Sequence, residues 1–171
     1  MKQALIIVDM LNDFFLENAP LRVPGATKIV PNIKRRLDQA RGRGEPVIYL
    51  CDSHHPNDSE FQVWPVHAVA GTPGAQIIDQ LRPSKESMIV KKTRYSGFYQ
   101  TDLDALLQGL GVGRLVLTGV VTNICILYTA ADAVMRGYEV VVPQDCVAAL
   151  SDEDQKFALK QLTEVLKVKV I

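Results

Sequence analysis

The amino-acid sequence predicts an α/β fold, with a doubly wound, mostly parallel six-stranded sheet that carries helices on both faces. Short apolar runs rich in β-branched residues alternate with longer amphipathic segments, which is the pattern of β-α-β units. The apolar runs are nearly continuous, as in strands that are buried on both faces. The chain of 171 residues is 47% hydrophobic and has no linker rich in proline, glycine or serine, so we expect one domain over residues 1–171.

The elements follow one another in a regular order. The predicted strands are residues 4–8, 46–50, 87–90, 114–118, 139–142 and 168–171. The segments with helical spacing of apolar residues are 30–44, 101–111, 123–137 and 151–167, and three of these four run into a glycine that can serve as a C-cap. A long irregular insertion at about residues 51–86 interrupts the alternation. Loops of this length tend to carry function, so we expect binding residues there.

Charge and cysteine content exclude several classes of partner. Lys+Arg and Asp+Glu each number 19 without a basic or acidic run, so we expect a small-molecule partner rather than nucleic acid or a membrane surface. The opening apolar stretch is too short for a signal peptide, and no segment approaches the length of a membrane span. The three cysteines are far apart and form no CxxC motif, which indicates free thiols in a reducing compartment and predicts a cytoplasmic protein.

Chemically useful side chains follow four of the predicted strands. Ligands of open α/β sheets bind beyond the carboxyl ends of the strands, so the residues at those ends are the candidates for a site. They are Asp9 after the first strand, Asp52 and His54 after the second, Lys91 and Lys92 after the third, and Cys125 in the turn after the fourth. An acid, a base, a thiol and a metal-binding pair are therefore expected at one edge of the sheet.

Each of these residues also has a structural interpretation. Cys125 could be a packing residue at the start of a core helix, Asp9 could cap a turn, and Lys92 could be a solvated lysine. The position of Cys125 favours a catalytic role over a packing role. Thr122 or Asn123 can cap the helix, and a helix N-terminus favours a thiolate. A thiol, a carboxylate and an ammonium together supply the parts of covalent catalysis.

The remaining cysteines and the nearest fold alternative fit less well. Cys51 closes a strand and Cys146 follows a short apolar run, so both are interpreted as structural. A dinucleotide-binding module would need G-x-G-x-x-G after the first strand, where "DMLNDF" stands instead. A small-molecule-binding protein without activity is the non-enzyme alternative, and the complete set of thiol, acid and base argues against it.

Three motifs resemble those of the isochorismatase-like superfamily of cysteine hydrolases. They are "ALIIVDMLNDF", "VKKTRYSGF" and "GVVTNIC" with the following "TAADAVMRGYEV", and together they span nearly the whole chain. The resemblance implies an isochorismatase-like hydrolase fold with Asp9, Lys92 and Cys125 as the catalytic triad. It also implies a cis peptide bond between Val120 and Val121, and an oxyanion hole formed by the backbone N–H groups of Val121 and Cys125.

The insertion carries a candidate metal site. Asp52 and His54 form an Asp-x-His pair on one face of an extended segment, and His67 in "WPVHAVAGT" supplies a third ligand. Two histidines and one carboxylate suit zinc, iron or manganese, although each histidine alone is more often a surface or core residue. The set is similar to that of the nicotinamidase (pyrazinamidase) branch, which implies one divalent ion, zinc foremost, that binds a pyridine nitrogen. His55 is expected to be solvated, with a substitute ligand as the alternative.

The same resemblance implies the substrate pocket and the reaction. Phe14, Trp64 and Tyr95 match positions that enclose a flat heteroaromatic ring, although all three could simply pack. The implied reaction is hydrolysis of nicotinamide, or of analogues such as pyrazinamide, to the acid and ammonia through a cysteine thioester, as in NAD salvage. Leu11 and Ala68 depart from the branch pattern, which leaves open a larger or differently shaped acyl group. The enzyme alternative is a metal-free cysteine hydrolase of another small amide or an enol ether. A homo-oligomer is compatible with the sequence.

Overall fold

Every strand pairing in the computed structural model, which describes residues 1–171, is parallel. The strands are β1 (Lys2–Val8), β2 (Val47–Asp52), β3 (Met88–Lys92), β4 (Val112–Val120), β5 (Glu139–Val142), β6 (Val147–Ala148) and β7 (Lys169–Val170). Six of them lie in the order β3-β2-β1-β4-β5-β7, and β6 pairs with β4 off this path. The predicted α/β class is confirmed. The predicted number of six strands is wrong by one, because β6 has two residues and is too short to produce a hydrophobic pattern.

The helices lie between the strands, as predicted. They are α1 (Asn12–Phe15), α2 (Ala26–Gly42), α3 (Leu103–Gly109), α4 (Leu127–Met135) and α5 (Asp152–Lys160). A π-helical turn, Thr122–Ile126, leads into α4, and a second, Gln161–Val165, follows α5. Two features differ from those predicted: α1, which spans only four residues, was not predicted, and α2 begins at Ala26 rather than at residue 30. None of the helices combines the length and the apolar character needed to cross a membrane.

The core consists of two apolar clusters, one on each face of the sheet. Successive residues of β1 alternate between them: Leu5 and Ile7 belong to the cluster that contains α2, whereas Ala4 and Ile6 belong to the cluster that contains α3 and α4. Side chains of a strand point alternately to opposite faces, so a strand covered on both faces must be apolar throughout. The continuous apolar runs of the sequence have this cause.

The insertion between β2 and β3 is attached to α1. It contains three short 3₁₀ turns, Ser59–Gln62, Pro73–Ala75 and Asp79–Leu81. The Asn12 side chain donates to the carbonyl of Pro73 at 2.8 Å, and Asp13 Oδ2 accepts from the backbone N–H of Ala68 at 2.8 Å. Because α1 directly follows β1, these bonds hold the insertion beside the carboxyl ends of the strands.

Candidate active site

Asp9, Lys92 and Cys125 lie together at the carboxyl edge of the sheet. Lys92 Nζ is 2.8 Å from Asp9 Oδ2 and 3.5 Å from Cys125 Sγ. The three residues are buried, with exposed fractions of 1%, 1% and 5%. The neighbouring Lys91 is exposed, since adjacent residues of a strand point to opposite faces. The structure therefore brings together the carboxylate, the lysine and the thiol that were predicted to meet at this edge.

The Asp9 carboxylate is fixed by the backbone around it. Asp9 follows β1 with a φ of 49°, a left-handed conformation that Asp tolerates better than most residues. Its backbone N–H donates to the carbonyl of Leu50 at 2.9 Å, and its Oδ1 accepts from the backbone N–H of Asp52 at 2.8 Å. The second oxygen, Oδ2, is buried, makes no well-directed hydrogen bond, and faces the ammonium of Lys92. One oxygen is therefore held in place, and the other remains able to accept a proton.

The thiol of Cys125 differs from the sequence expectation. Burial raises its pKa well above the usual range, and the charges of Asp9 and Asp52 add to this against the opposing effect of Lys92. The expected helix capping is also wrong: Val121 occupies the N-cap position without a side-chain hydrogen bond, and Thr122 Oγ1 and Asn123 Oδ1 have no partner. The resting group is consequently a neutral thiol, which needs a base to become a nucleophile.

Asp9 and Lys92, the two partners of the thiol, have protonation states that suit proton transfer and charge stabilisation. Burial raises the pKa of Asp9 to about 6, with a further increase from Asp52 that Lys92 opposes. A carboxyl group with this pKa can both accept and return a proton near neutral pH. Burial disfavours the charged form of Lys92, but Asp52 and Asp9 outweigh it and raise the Lys92 pKa well above its usual value. Lys92 therefore remains an ammonium ion.

Asp52 belongs to both the triad region and a second cluster. Its Oδ1 lies 2.5 Å from Lys92 Nζ, whereas its Oδ2 lies 3.7 Å from His54 Nε2 and 3.8 Å from His67 Nε2. Burial alone would raise the pKa of Asp52, but Lys92 and the two histidines hold that pKa well below its usual range. The carboxylate is therefore ionised, and one of its oxygens faces the two imidazoles.

The atoms of Asp52, His54 and His67 fit one divalent cation. A ligand atom of each residue lies within 4.8 Å of those of the other two. His54 Nε2 is buried without a hydrogen-bond partner. His54 Nδ1 lies 3.1 Å from Asp58 Oδ2, and His67 Nδ1 donates to the carbonyl of Pro65 at 2.7 Å. Each ring is thus held through its Nδ1 and faces Asp52 with its Nε2, which is how metal-binding histidines are oriented.

A second group of potential ligands, and the nearby His55, do not form a metal site. Asp9, Asp52 and Cys125 also lie within 4.8 Å of one another. The ammonium of Lys92 lies between them, within 3.5 Å of each, and leaves no room for a cation. His55 is exposed, and its Nδ1 accepts from the backbone of Asn57 at 3.3 Å, which agrees with the solvated role expected for it.

A pocket opens beside the thiol. Phe14, Trp64 and Tyr95, the three residues expected to enclose a ring, line it together with Cys125 and Val121. Trp64 Nε1 donates to the Tyr95 hydroxyl at 3.0 Å, and the Phe14 ring meets His67 edge-on at 5.6 Å. The peptide bond between Val120 and Val121 is cis, at the position that the family resemblance implies. The pocket is thus mostly apolar, and the thiol of Cys125 is part of its lining.

Several residues of the site were not predicted from the sequence. Leu21, Ile124 and Leu150 line the pocket, but an apolar residue near a site has no sequence signal of its own. Glu60 also lines it, with a side chain 8% exposed and 3.6 Å from Arg94. Burial, then the charge of Asp52, raises the Glu60 pKa. The density of acidic residues in "DSHHPNDSE" was the available signal for Glu60.

Comparison with known proteins agrees with this geometry. The sequence model of the isochorismatase domain matches residues 3–169, and the chain therefore belongs to the isochorismatase family of hydrolases. An uncharacterized family member of Bacillus subtilis is 35% identical over 96% of this chain and 90% of its own length. A protein of Arabidopsis thaliana named as a probable inactive nicotinamidase is 37% identical over 88% of this chain and 82% of its own length.

Solved structures are similar over nearly the whole chain. An isochorismatase-like hydrolase from Alkaliphilus metalliredigens is 40% identical, with a TM-score of 0.95 over 99% of this chain and 94% of that one. N-carbamoylsarcosine amidase from Thermoplasma acidophilum is 39% identical, with a TM-score of 0.91 over 99% and 95%. The pyrazinamidase of Pyrococcus horikoshii in complex with zinc is 32% identical, with a TM-score of 0.93 over 100% and 99%. These names cover different amides, so similarity alone selects no substrate.

Proposed function

We propose that this protein is a metal-dependent amidohydrolase that converts nicotinamide, and flat analogues such as pyrazinamide, to the carboxylic acid and ammonia. The observation that carries the proposal is that Asp52 and His67 line the same pocket as Cys125. A cation held there would lie beside the ring of a substrate whose carboxamide faces the thiol. The similarity to a zinc-bound pyrazinamidase supports the same choice.

The metal site is what favours this activity over a metal-free one. A cysteine hydrolase without a metal would have no use for a buried His54 Nε2 that lacks any hydrogen-bond partner, which is a costly arrangement. When bound, a divalent ion, zinc foremost with iron or manganese as alternatives, would be held by Asp52, His54 and His67. It would supply a Lewis-acidic position for the ring nitrogen of the substrate.

The first half of the reaction uses the triad. Asp9 Oδ2 accepts the proton of the Cys125 thiol, and the sulfur attacks the carboxamide carbon. Lys92 Nζ, 3.5 Å from Sγ, stabilises the thiolate as it forms. The backbone N–H groups of Val121 and Cys125 receive the oxyanion, and loss of one such donor typically costs about 10²–10³ in rate. Asp9 then returns its proton to the nitrogen, and ammonia leaves a thioester on Cys125.

The second half of the reaction repeats the role of Asp9, with water as the nucleophile and the Cys125 sulfur as the leaving group. Asp9 takes a proton from a water molecule, the resulting hydroxide attacks the thioester carbonyl, and the proton returns to the sulfur as the carboxylic acid leaves. Both proton transfers use one carboxyl group, which requires a pKa near the working pH, and the Asp9 pKa of about 6 satisfies this requirement. Nicotinate formation would belong to NAD salvage, and the three free cysteines suit a reducing compartment such as the cytoplasm.

The test is an ammonia-release assay across neutral aromatic and acidic aliphatic amides, with and without a chelator. We expect release from nicotinamide and pyrazinamide by the metal-loaded protein, strong loss after chelation, and none from the Cys125→Ala variant. Release from N-carbamoylsarcosine that is insensitive to chelation, with nicotinamide left intact, would instead establish the metal-free alternative. Absence of release from every amide would favour a binding protein.

A further inference from the structure

The two histidines of the candidate metal site are oriented by different kinds of partner. His67 Nδ1 donates to the neutral carbonyl of Pro65, whereas His54 Nδ1 faces the carboxylate of Asp58 at 3.1 Å. We propose that Asp58, held by Arg94, is a positioning residue that makes His54 a competent metal ligand. This inference rests on the metal site of the proposed function and concerns two residues for which the sequence motifs indicated no role.

The hydrogen bond of Asp58 determines which nitrogen of His54 is free. A carboxylate can only accept, so Nδ1 carries the hydrogen, and Nε2 is left as the nitrogen that can bind a cation. That Nε2 is buried, has no other partner and lies 3.7 Å from Asp52 Oδ2. The negative charge on Asp58 also increases the basicity of the ring toward a cation. Partners of this kind typically contribute about 10–100-fold to metal affinity.

The Asp58 carboxylate is itself held on several sides. Its Oδ1 accepts from the backbone N–H of Glu60 at 2.9 Å, which caps the turn Ser59–Gln62. Arg94 Nη1 donates to Oδ1 at 3.0 Å and to Oδ2 at 3.2 Å. The Asp58 side chain is 8% exposed, and the more exposed Arg94 side chain covers it from the solvent side. A carboxylate with this many partners has little freedom to turn away from His54.

Arg94 connects the metal-binding insertion to the strand that carries the catalytic lysine. Its Nη2 donates to Ser59 Oγ at 3.2 Å, and its backbone carbonyl accepts from Lys92 Nζ at 3.2 Å. One residue thus contacts the support of His54 through its side chain and the triad ammonium through its backbone. Arg94 is therefore expected to keep the insertion closed over the end of β3.

The test measures zinc affinity of the full-length protein, stripped of metal and titrated in competition with a chromophoric chelator. Asp58→Ala should raise the dissociation constant by about 10–100-fold. Asp58→Asn keeps an acceptor oxygen for Nδ1–H but loses the charge, so it should fall between native and Asp58→Ala. Arg94→Ala should weaken zinc less than Asp58→Ala. Glu139→Gln is the control: it breaks an ion pair of 3.0 Å with Arg114 at the amino end of β5, far from the site, and should leave zinc affinity unchanged.

Two further measurements separate positioning from general destabilisation. Nitrogen-15 NMR of the native protein saturated with zinc should show the His54 proton on Nδ1 and zinc on Nε2, and the zinc-saturated Asp58→Ala spectrum should show a mixture of the two coordination modes. Thermal unfolding of the metal-free variants should remain close to native. Native zinc affinity in Asp58→Ala, or a loss of affinity that only follows a loss of fold, would overturn this inference alone. A native protein that binds no zinc would refute the metal site of the proposed function as well.

Discussion

Asp52 joins the two parts of the candidate site through its two carboxylate oxygens. One oxygen contacts Lys92 and so belongs to the region of the nucleophile, while the other faces His54 and His67. Both parts were expected at one edge of the sheet, because parallel strands end together there. Their sharing of one carboxylate was not, since a sequence does not reveal which oxygen of a side chain faces which partner.

The three cysteines should differ sharply in their contribution to turnover. Cys125 lines the pocket, whereas Cys51 and Cys146 are packed in the apolar cluster beside α2. Cys125→Ala should lower kcat by a factor on the order of 10⁴ or more, because no other group can form the thioester. Cys51→Ala and Cys146→Ala should keep most activity. Ammonia release together with circular dichroism measures this, and a folded, inactive Cys51→Ala would mean that the nucleophile is misassigned.

Gly119 should tolerate no side chain, because its backbone approaches β1 closely. A Cβ atom at this position would lie 2.0 Å from the carbonyl oxygen of Val8, and its φ is +110°. Gly119→Ala should destabilise the protein by about 3 kcal/mol or more, or prevent folding. Gly111 is the matched control, because its φ is also positive, at +66°, but a Cβ atom added there would have no atom within 4 Å. Its Ala variant should lose about 1 kcal/mol in urea unfolding. Equal losses for the two variants would contradict the steric explanation.

At the scale of elements, the strands were predicted better than the insertion. Strands covered on both faces leave a continuous apolar run in the sequence, whereas residues 53–87 contain only short turns held by hydrogen bonds. The sequence therefore indicated that His67 lies in a functional loop, but not what positions it. The missing elements were α1, whose four residues are too few to show a helical period, and the two-residue strand β6.

The anchoring role of α1 can be tested at Asp13. Its Oδ2 accepts from the backbone N–H of Ala68, directly after the proposed ligand His67. Asp13→Ala should release this part of the insertion, weaken zinc binding and cost about 1–3 kcal/mol of stability. Hydrogen exchange should show faster exchange in the insertion while the sheet remains protected. Unchanged exchange there would show that α1 does not hold the loop.

The hydrogen bond between Trp64 and Tyr95 links the insertion to the segment after β3 across the pocket. Trp64→Phe removes the donor and Tyr95→Phe removes the acceptor, while each keeps a ring. Either variant should raise KM for nicotinamide more than it lowers kcat, because the contact shapes the pocket and not the triad. The double variant should be no worse than the single ones. Fully additive losses in kcat/KM would indicate that the two rings act separately.

At the scale of the whole molecule, the sheet brings site residues that are distant in sequence close together. Asp9, Asp52, Lys92 and Cys125 come from the ends of four parallel strands, and the crossover helices keep those ends on one edge. The position of these four residues at one edge was predictable from the alternation of strands and helices. The high pKa of Cys125 was not, because burial from every side is a property of the fold and not of the helix terminus beside it.

The most direct test of the account is the ratio of kcat/KM for nicotinamide to that for benzamide, measured with metal-loaded enzyme and again after chelation. Benzamide keeps the carboxamide and the flat ring but lacks the nitrogen that the cation would bind. If Asp52, His54 and His67 hold the ion that anchors this nitrogen, nicotinamide should be preferred by a factor on the order of 10² or more. Chelation should bring the ratio close to one by slowing nicotinamide alone. Equal rates for the two amides in the metal-loaded enzyme would contradict the account.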